Sequence, residues 1–145
     1  MKPALWALVV LVIVAITAAV AIARSSSQES DPRAISNWFH VSFDVTNVTL
    51  KAAPPGGTAW EQSFTWNSIV RVCFKTEGME LSDGLYIFTS QRPESFVVPT
   101  EASGGTELLN ELMRRKHLPA DIVIKASGSP EGTLLCWPAL PGHDG

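Results

Sequence analysis

From Ala4 to Ala23 the chain runs ALWALVVLVIVAITAAVAIA, twenty residues without a charge. A helix of about 20 apolar residues covers a hydrocarbon core of about 30 Å. Within lipid such a helix satisfies all of its backbone groups internally. Two uses of the run compete. As a transmembrane anchor it is unbroken and rich in Val, Ile and Leu, with Trp6 placed near one end as an interfacial aromatic. As a signal peptide it offers Lys2 as the basic n-region and Ala21-Ile22-Ala23 as an A-x-A cleavage site before Arg24. The run exceeds the roughly 7–15 residues of a typical signal core, and alanines at 15, 18, 19, 21 and 23 make such a triplet easy to generate. The expectation is an anchor over residues 1–23, attaching the chain to a membrane through residues 4–23. Lys2 flanks one end, and Arg24 and Arg33 flank the other. Counted as Lys and Arg only, this tilts the C-terminal part towards the cytoplasm of an inner membrane. The alternative is a periplasmic or secreted domain.

Residues 24–36 contain the stretch SSSQESD and read as a polar linker without a packing face. Residues 37–140 have the composition of one small domain with one core. They carry four tryptophans (38, 60, 66, 137) and six phenylalanines. Residues 141–145 read as a tail. Within 37–140 there are eight Lys and Arg against eleven Asp and Glu. An acidic balance of this kind argues against nucleic-acid binding, which needs a basic face. The one cationic cluster, Arg114 to His117, reads as the last turn of a helix, where positive charge complements the dipole.

Period-two alternation dominates the first part of this domain. Trp38–Val45 places Phe39, Val41, Phe43 and Val45 on one face, and Val48–Ala52 reads as its partner. Pro54-Pro55-Gly56-Gly57 is a loop, after which Trp60, Gln62, Phe64 and Trp66 alternate again. Ile69–Lys75 sets Val70, Val72 and Phe74 against Arg71, Cys73 and Lys75. Leu85–Thr89 and Ser95–Val98 add two more strands. Short connections favour sequential antiparallel pairing. Thr106 is the expected N-cap of a helix carrying Leu108, Leu109, Leu112 and Met113 as its apolar stripe. Asp121–Ala126 suits either a strand or a short helix, and Gly132–Pro138 holds a final strand. The expected fold class is α+β: an N-terminal transmembrane helix, then an antiparallel β-barrel or sandwich of about six to seven strands capped by one amphipathic helix.

Four segments in order sharpen this. They are Trp66-Asn67-Ser68-Ile69-Val70-Arg71-Val72, Asp83-Gly84-Leu85-Tyr86-Ile87-Phe88, Val97-Val98-Pro99 and the helix from Gly105 to Arg115. Together they resemble the bacterial pleckstrin-homology-like domains. The resemblance implies a membrane-tethered, cytoplasmic interaction module. PESFVVPTEA and GTLLCWP depart from the general pattern.

Chemistry is sparse. Cys73 and Cys136 are the only cysteines. They form either a disulfide, if the domain is exported, or two free thiols, with Cys73 sharing a strand face with Arg71 and Lys75. His40, His117 and His143 lie at no metal-ligand spacing, and none sits in a nucleophile motif. Glu77, Glu80 and Asp83 read as solvated loop charges. Gly104-Gly105 before a helix is a weak anion cradle without a lysine, and Asn47-Val48-Thr49 matches a glycosylation acceptor. Arg92 and Glu94 beside a strand edge form a candidate protein-docking surface, open to a partner's peptide by strand addition. No catalytic constellation, cofactor or metal site is expected. The function expected from sequence is a membrane-anchored, non-enzymatic interaction or scaffold module. The alternative is an exported domain with a Cys73–Cys136 disulfide and an envelope role.

Overall fold

A computed structural model describes residues 31, 33–78 and 81–142. The chain divides into two units, residues 1–31 and 32–145, and the second is the folded domain. It begins with a single helical turn, α1 (Ile35–Trp38), that leads directly into β1 (Phe39–Phe43). Next come β2 (Asn47–Ala52) and β3 (Trp60–Thr65). A 3-10 turn over Trp66–Ser68 then leads to β4 (Ile69–Lys75), β5 (Gly84–Thr89) and β6 (Arg92–Pro99). Two helices follow, α2 (Gly105–Arg114) and α3 (Ala120–Ser127), before the last strand, β7 (Leu134–Trp137).

The strands form two open antiparallel sheets, one ordered β1-β2-β3 and one ordered β6-β5-β4-β7. This corrects the expected closed barrel or sandwich with a single helical cap. Among the described residues there are two open sheets and three helices, and Asp121–Ala126 belongs to a helix. The reason lies in the 3-10 turn. Trp66 is not a strand residue: its Nε1–H donates to the Asp44 carbonyl at 2.8 Å, and the Ser68 hydroxyl donates to the Thr65 carbonyl at 2.7 Å. These bonds turn the chain out of the first sheet before β4 begins. The second departure from a meander is β7, which returns to pair with β4. Thr76 holds it there: its N–H donates to the Thr133 carbonyl at 3.0 Å, and its hydroxyl donates to the Pro130 carbonyl at 2.8 Å.

The expected membrane-crossing helix is also corrected. Among the described residues no helix is long and apolar enough to cross a membrane. The run over residues 4–23 lies outside the described residues, as does His143. The expected single-pass membrane attachment has no crossing helix among the described residues to support it.

One core joins both sheets. Phe39, Val48, Leu50 and Phe64 face in from the first, and Val72, Phe74, Leu85, Ile87, Phe96 and Val98 from the second. The Phe64 and Phe96 rings, with centroids 4.6 Å apart, tie one sheet to the other. Leu108 and Leu112 of α2 and Leu118 beyond it close the core, all fully buried. The Ile69–Lys75 alternation is interrupted by an irregularity between Ile69 and Arg71. Val70 consequently points to solvent at 56% exposure, while Val72 and Phe74 stay inside.

Helix α2 starts differently from the expected Thr106 cap. Its N-cap is Gly104 in the left-handed region, φ 82°. A Cβ on Gly104 would run into the Val41 carbonyl of β1, and one on Gly105 would lie 2.7 Å from the Pro99 and Thr100 carbonyls. The double glycine is therefore explained by close backbone packing.

Candidate binding surface on the three-stranded sheet

The end of the first sheet where β2 finishes brings two indoles together. Trp38 closes α1 and Trp60 opens β3. The N–H of Ala53 donates to the Trp38 carbonyl at 2.8 Å, which anchors α1 to the end of β2. Buried Phe39 links the two indoles: its ring centroid lies 6.1 Å from that of Trp38 and 5.5 Å from that of Trp60, the latter edge-on. Around these rings the chain places the small side chains of Ala52, Ala53 and Ala59, with Asn37 beside Trp38. Large rings beside small residues leave a shallow cleft of about 420 Å³.

The rim of the cleft is charged. His40, Lys51 and Glu61 are successive cross-strand partners on β1, β2 and β3 and line one side. Lys51 and Glu61 form an ion pair at 3.3 Å with both side chains 60% exposed. Such a pair contributes about 0–1 kcal/mol to stability and is readily exchanged for another partner. Apolar walls with a few polar groups at the rim are the usual make-up of a ligand site.

The sequence-derived candidates lie elsewhere. Cys73 and Cys136 are cross-strand partners on β4 and β7 and are joined by a disulfide. Both are buried, and the bond fixes the short β7 to the sheet. Arg92 is engaged within its own strand. Its Nε–H donates to the Glu94 carbonyl at 3.1 Å, its Nη2–H donates to the Ser95 carbonyl at 3.0 Å, and its guanidinium lies 3.6 Å from the centre of the Phe96 ring. Glu94 itself is exposed. The Arg92–Glu94 segment thus braces its own strand.

The cationic cluster after α2 is also structural. Glu111 accepts from Arg114 Nε at 2.8 Å and from Arg115 Nε at 2.7 Å. These two bonds pull its carboxyl down to about 2. Arg115 lies 4.2 Å above the Trp66 ring, and His117 stacks on the same indole with centroids 6.2 Å apart. Burial, with Arg115 nearby, lowers the pKa of His117. Two of the loop carboxylates are engaged too, and Glu80 lies outside the described residues. Glu77 pairs with Lys75 at 2.7 Å, and Asp83 accepts the Glu77 N–H at 2.9 Å. The Lys75 ammonium is held above its ordinary value by Glu77. Among the described residues no three His, Cys, Asp or Glu side chains are grouped to hold a metal ion.

Sequence reasoning assigned Trp38 and Trp60 to the core and missed the cleft between them. The available signal was a pair of tryptophans bracketing a strand end whose other residues are alanines. No family model, curated protein or solved structure matches this chain.

Proposed function

We propose that this chain is a non-enzymatic interaction domain that works in an oxidising compartment, exported rather than cytoplasmic. The observation that carries this reading is the Cys73–Cys136 disulfide. Protein disulfides persist outside the reducing cytosol, and small domains in such places rely on them. The apolar run 4–23, ending in Ala21-Ile22-Ala23, then serves as an export signal. The reading as a binding domain rests on the two-tryptophan cleft. It also agrees with the structural employment of Glu111, Arg115 and His117. The resemblance of residues 66–115 to the bacterial pleckstrin-homology-like domains fits the interaction role alone; the cytoplasmic, membrane-tethered setting it implies is set aside in favour of the disulfide.

Thiol labelling of the full chain in its host tests the compartment. Cys73 and Cys136 that react only after denaturation with reductant support the reading. Reaction after denaturation alone places two free thiols in the cell and defeats it. The mass of the mature N-terminus gives a second readout, with cleavage after Ala23 expected.

A further inference from the structure

Each sheet edge has to be accounted for, since an open strand edge is a row of unpaired donors and acceptors. The outer edge of β1 is closed by Ser103. The N–H of Val41 donates to the Ser103 carbonyl at 2.7 Å, and the N–H of Ser103 donates to the Phe39 carbonyl at 3.0 Å. On β6, Pro93 and Pro99 lack the N–H, and Arg92 covers the carbonyls of Glu94 and Ser95. β7 is four residues long and packs against α3. Among the described residues β3 has no cover and pairs with β2 alone; it is six residues long, contains no proline, and Trp60 to Ser63 are exposed.

The register shows which groups of β3 face outwards. Because Phe39 and Val41 bond to Ser103, it is His40 and Ser42 that bond to Lys51 and Thr49 of β2. Backbone bonding directions alternate along an antiparallel strand. Val48, Leu50 and Ala52 therefore bond to Phe64, Gln62 and Trp60. The N–H and C=O of Glu61 and Ser63 are left pointing away from the sheet. Two residues of strand rise separate them, about 6.8 Å. An extended polypeptide backbone repeats donor and acceptor at that spacing.

We propose that the outer edge of β3 receives an extended peptide by strand addition, with an apolar side chain beside Trp60 and Gln62 and a basic side chain beside Glu61. Charge selects the partner. Glu61 is the outermost charge of the His40–Lys51–Glu61 row, its bond to Lys51 is solvent-exposed, and the domain is acidic overall. Trp60 is 38% exposed on the inward face, so an apolar residue added beside it extends the core by one strand. This inference rests on the interaction-domain reading and is independent of the compartment.

The test uses the full-length, oxidised chain in a mild detergent that keeps the apolar run in solution. Fluorescein-labelled (Lys-Val)5 is titrated by anisotropy, with (Glu-Val)5 as the charge-reversed control. Saturable binding of (Lys-Val)5 is expected, at least tenfold tighter than (Glu-Val)5, with amide shifts at Glu61 and Ser63. Ser63→Pro removes an outward N–H without touching the bonds to β2. It is expected to weaken binding at least tenfold while the unfolding midpoint holds. Glu61→Lys, at an exposed position, is expected to reverse the peptide preference and guards against a folding defect in the proline variant. No saturable binding, or equal binding by a folded S63P, overturns the proposal. A concentration-dependent dimer that S63P abolishes makes the occupant a second copy and also overturns it. Thiol labelling decides the compartment separately, so either reading fails without the other.

Discussion

Glu111 and His117 act on stability in the same direction for different reasons. Glu111 ionises near 2 in the folded chain, against its ordinary 4.5, because Arg114 and Arg115 bond its carboxylate. The unfolded chain takes up that proton first as pH falls. The stabilisation is thus complete above about 4.5 and is lost progressively towards 2. His117 has its folded pKa lowered below 6.5 by burial and Arg115. Both states are neutral above 6.5. Below it the unfolded chain is protonated first, so acidification again favours unfolding. The melting temperature is expected to fall in two stages, beginning below 6.5 and again below 4.5. Glu111→Gln should flatten the acid stage and His117→Gln the neutral one, measured by thermal melts across pH 2–8. Backbone conformation gives a second contrast at this scale. Helix α2 ends with the N–H of His117 bonded to the Leu112 carbonyl and that of Lys116 to the Met113 carbonyl, with Lys116 left-handed at φ 63°. That arrangement is a Schellman cap, with lysine where glycine is usual. Lys116→Gly is expected to stabilise by about 1 kcal/mol by relieving the left-handed penalty. Gly104→Ala, also at positive φ and against the Val41 carbonyl, should destabilise by about 2 kcal/mol. Urea titrations of both variants measure the pair, and equal effects would contradict the assignment of Gly104 to close packing.

Helix α2 shows at the level of elements what amphipathic spacing determines. Leu108 and Leu112 are fully buried, whereas Leu109 is half-buried at the margin of the same stripe. Leu112→Ala is expected to cost 2–5 kcal/mol through lost burial and the cavity left behind, and Leu109→Ala less than half of that by the same titration. This stripe was legible in the sequence, as were β5 and β4 apart from its irregularity at Val70, whereas β6 also takes in Arg92–Glu94, outside the expected Ser95–Val98 strand. Other elements were not. Residues 122–124 are all β-branched, yet they lie in a helix because Pro119 and Ala120 start one where the chain must return to β7. Thr106 matched the capping pattern, yet the start of α2 is decided by how closely β1 passes Gly104. Trp66 continued the alternation of β3 but was taken out of the strand by its bond to Asp44, a partner 22 residues away. Local period predicts which way side chains point. It does not predict which carbonyl, distant in sequence, claims a tryptophan N–H, and that bond helps separate one sheet from two. The candidate surface was illegible for a related reason, since β3 is left as the uncovered edge by the strand order, while the covering of the β1 edge depends on Ser103, distant in sequence.

For the whole molecule, the disulfide links the last strand to a strand formed 63 residues earlier. The bridged span takes in β5, β6, α2 and α3, so it encloses one strand pair of the second sheet and both long helices. Without the bridge, β7 is held by four register pairs to β4 and by the Thr76 bonds. The chain-entropy relation gives a loop of this length a stabilisation of about 4 kcal/mol, through restriction of the unfolded chain. Single domains have roughly 5–15 kcal/mol in total, so the bridge accounts for a large share. The double variant Cys73→Ser, Cys136→Ser is expected to lose about 4 kcal/mol in urea unfolding, with a larger m because its unfolded state is less restricted and exposes more surface. The wild-type chain in reductant should approach the same midpoint. Hydrogen exchange separates the two places where the bond can act. If the effect lies in the unfolded ensemble, protection falls evenly across both sheets. If the bond mainly pins β7, Leu134 to Trp137 and the Thr76 amide lose protection first while β5 and β6 keep theirs. A loss below 1 kcal/mol with uniform protection would mean that pairing with β4 alone holds β7, and would remove the structural reason for a bridge between these two strands.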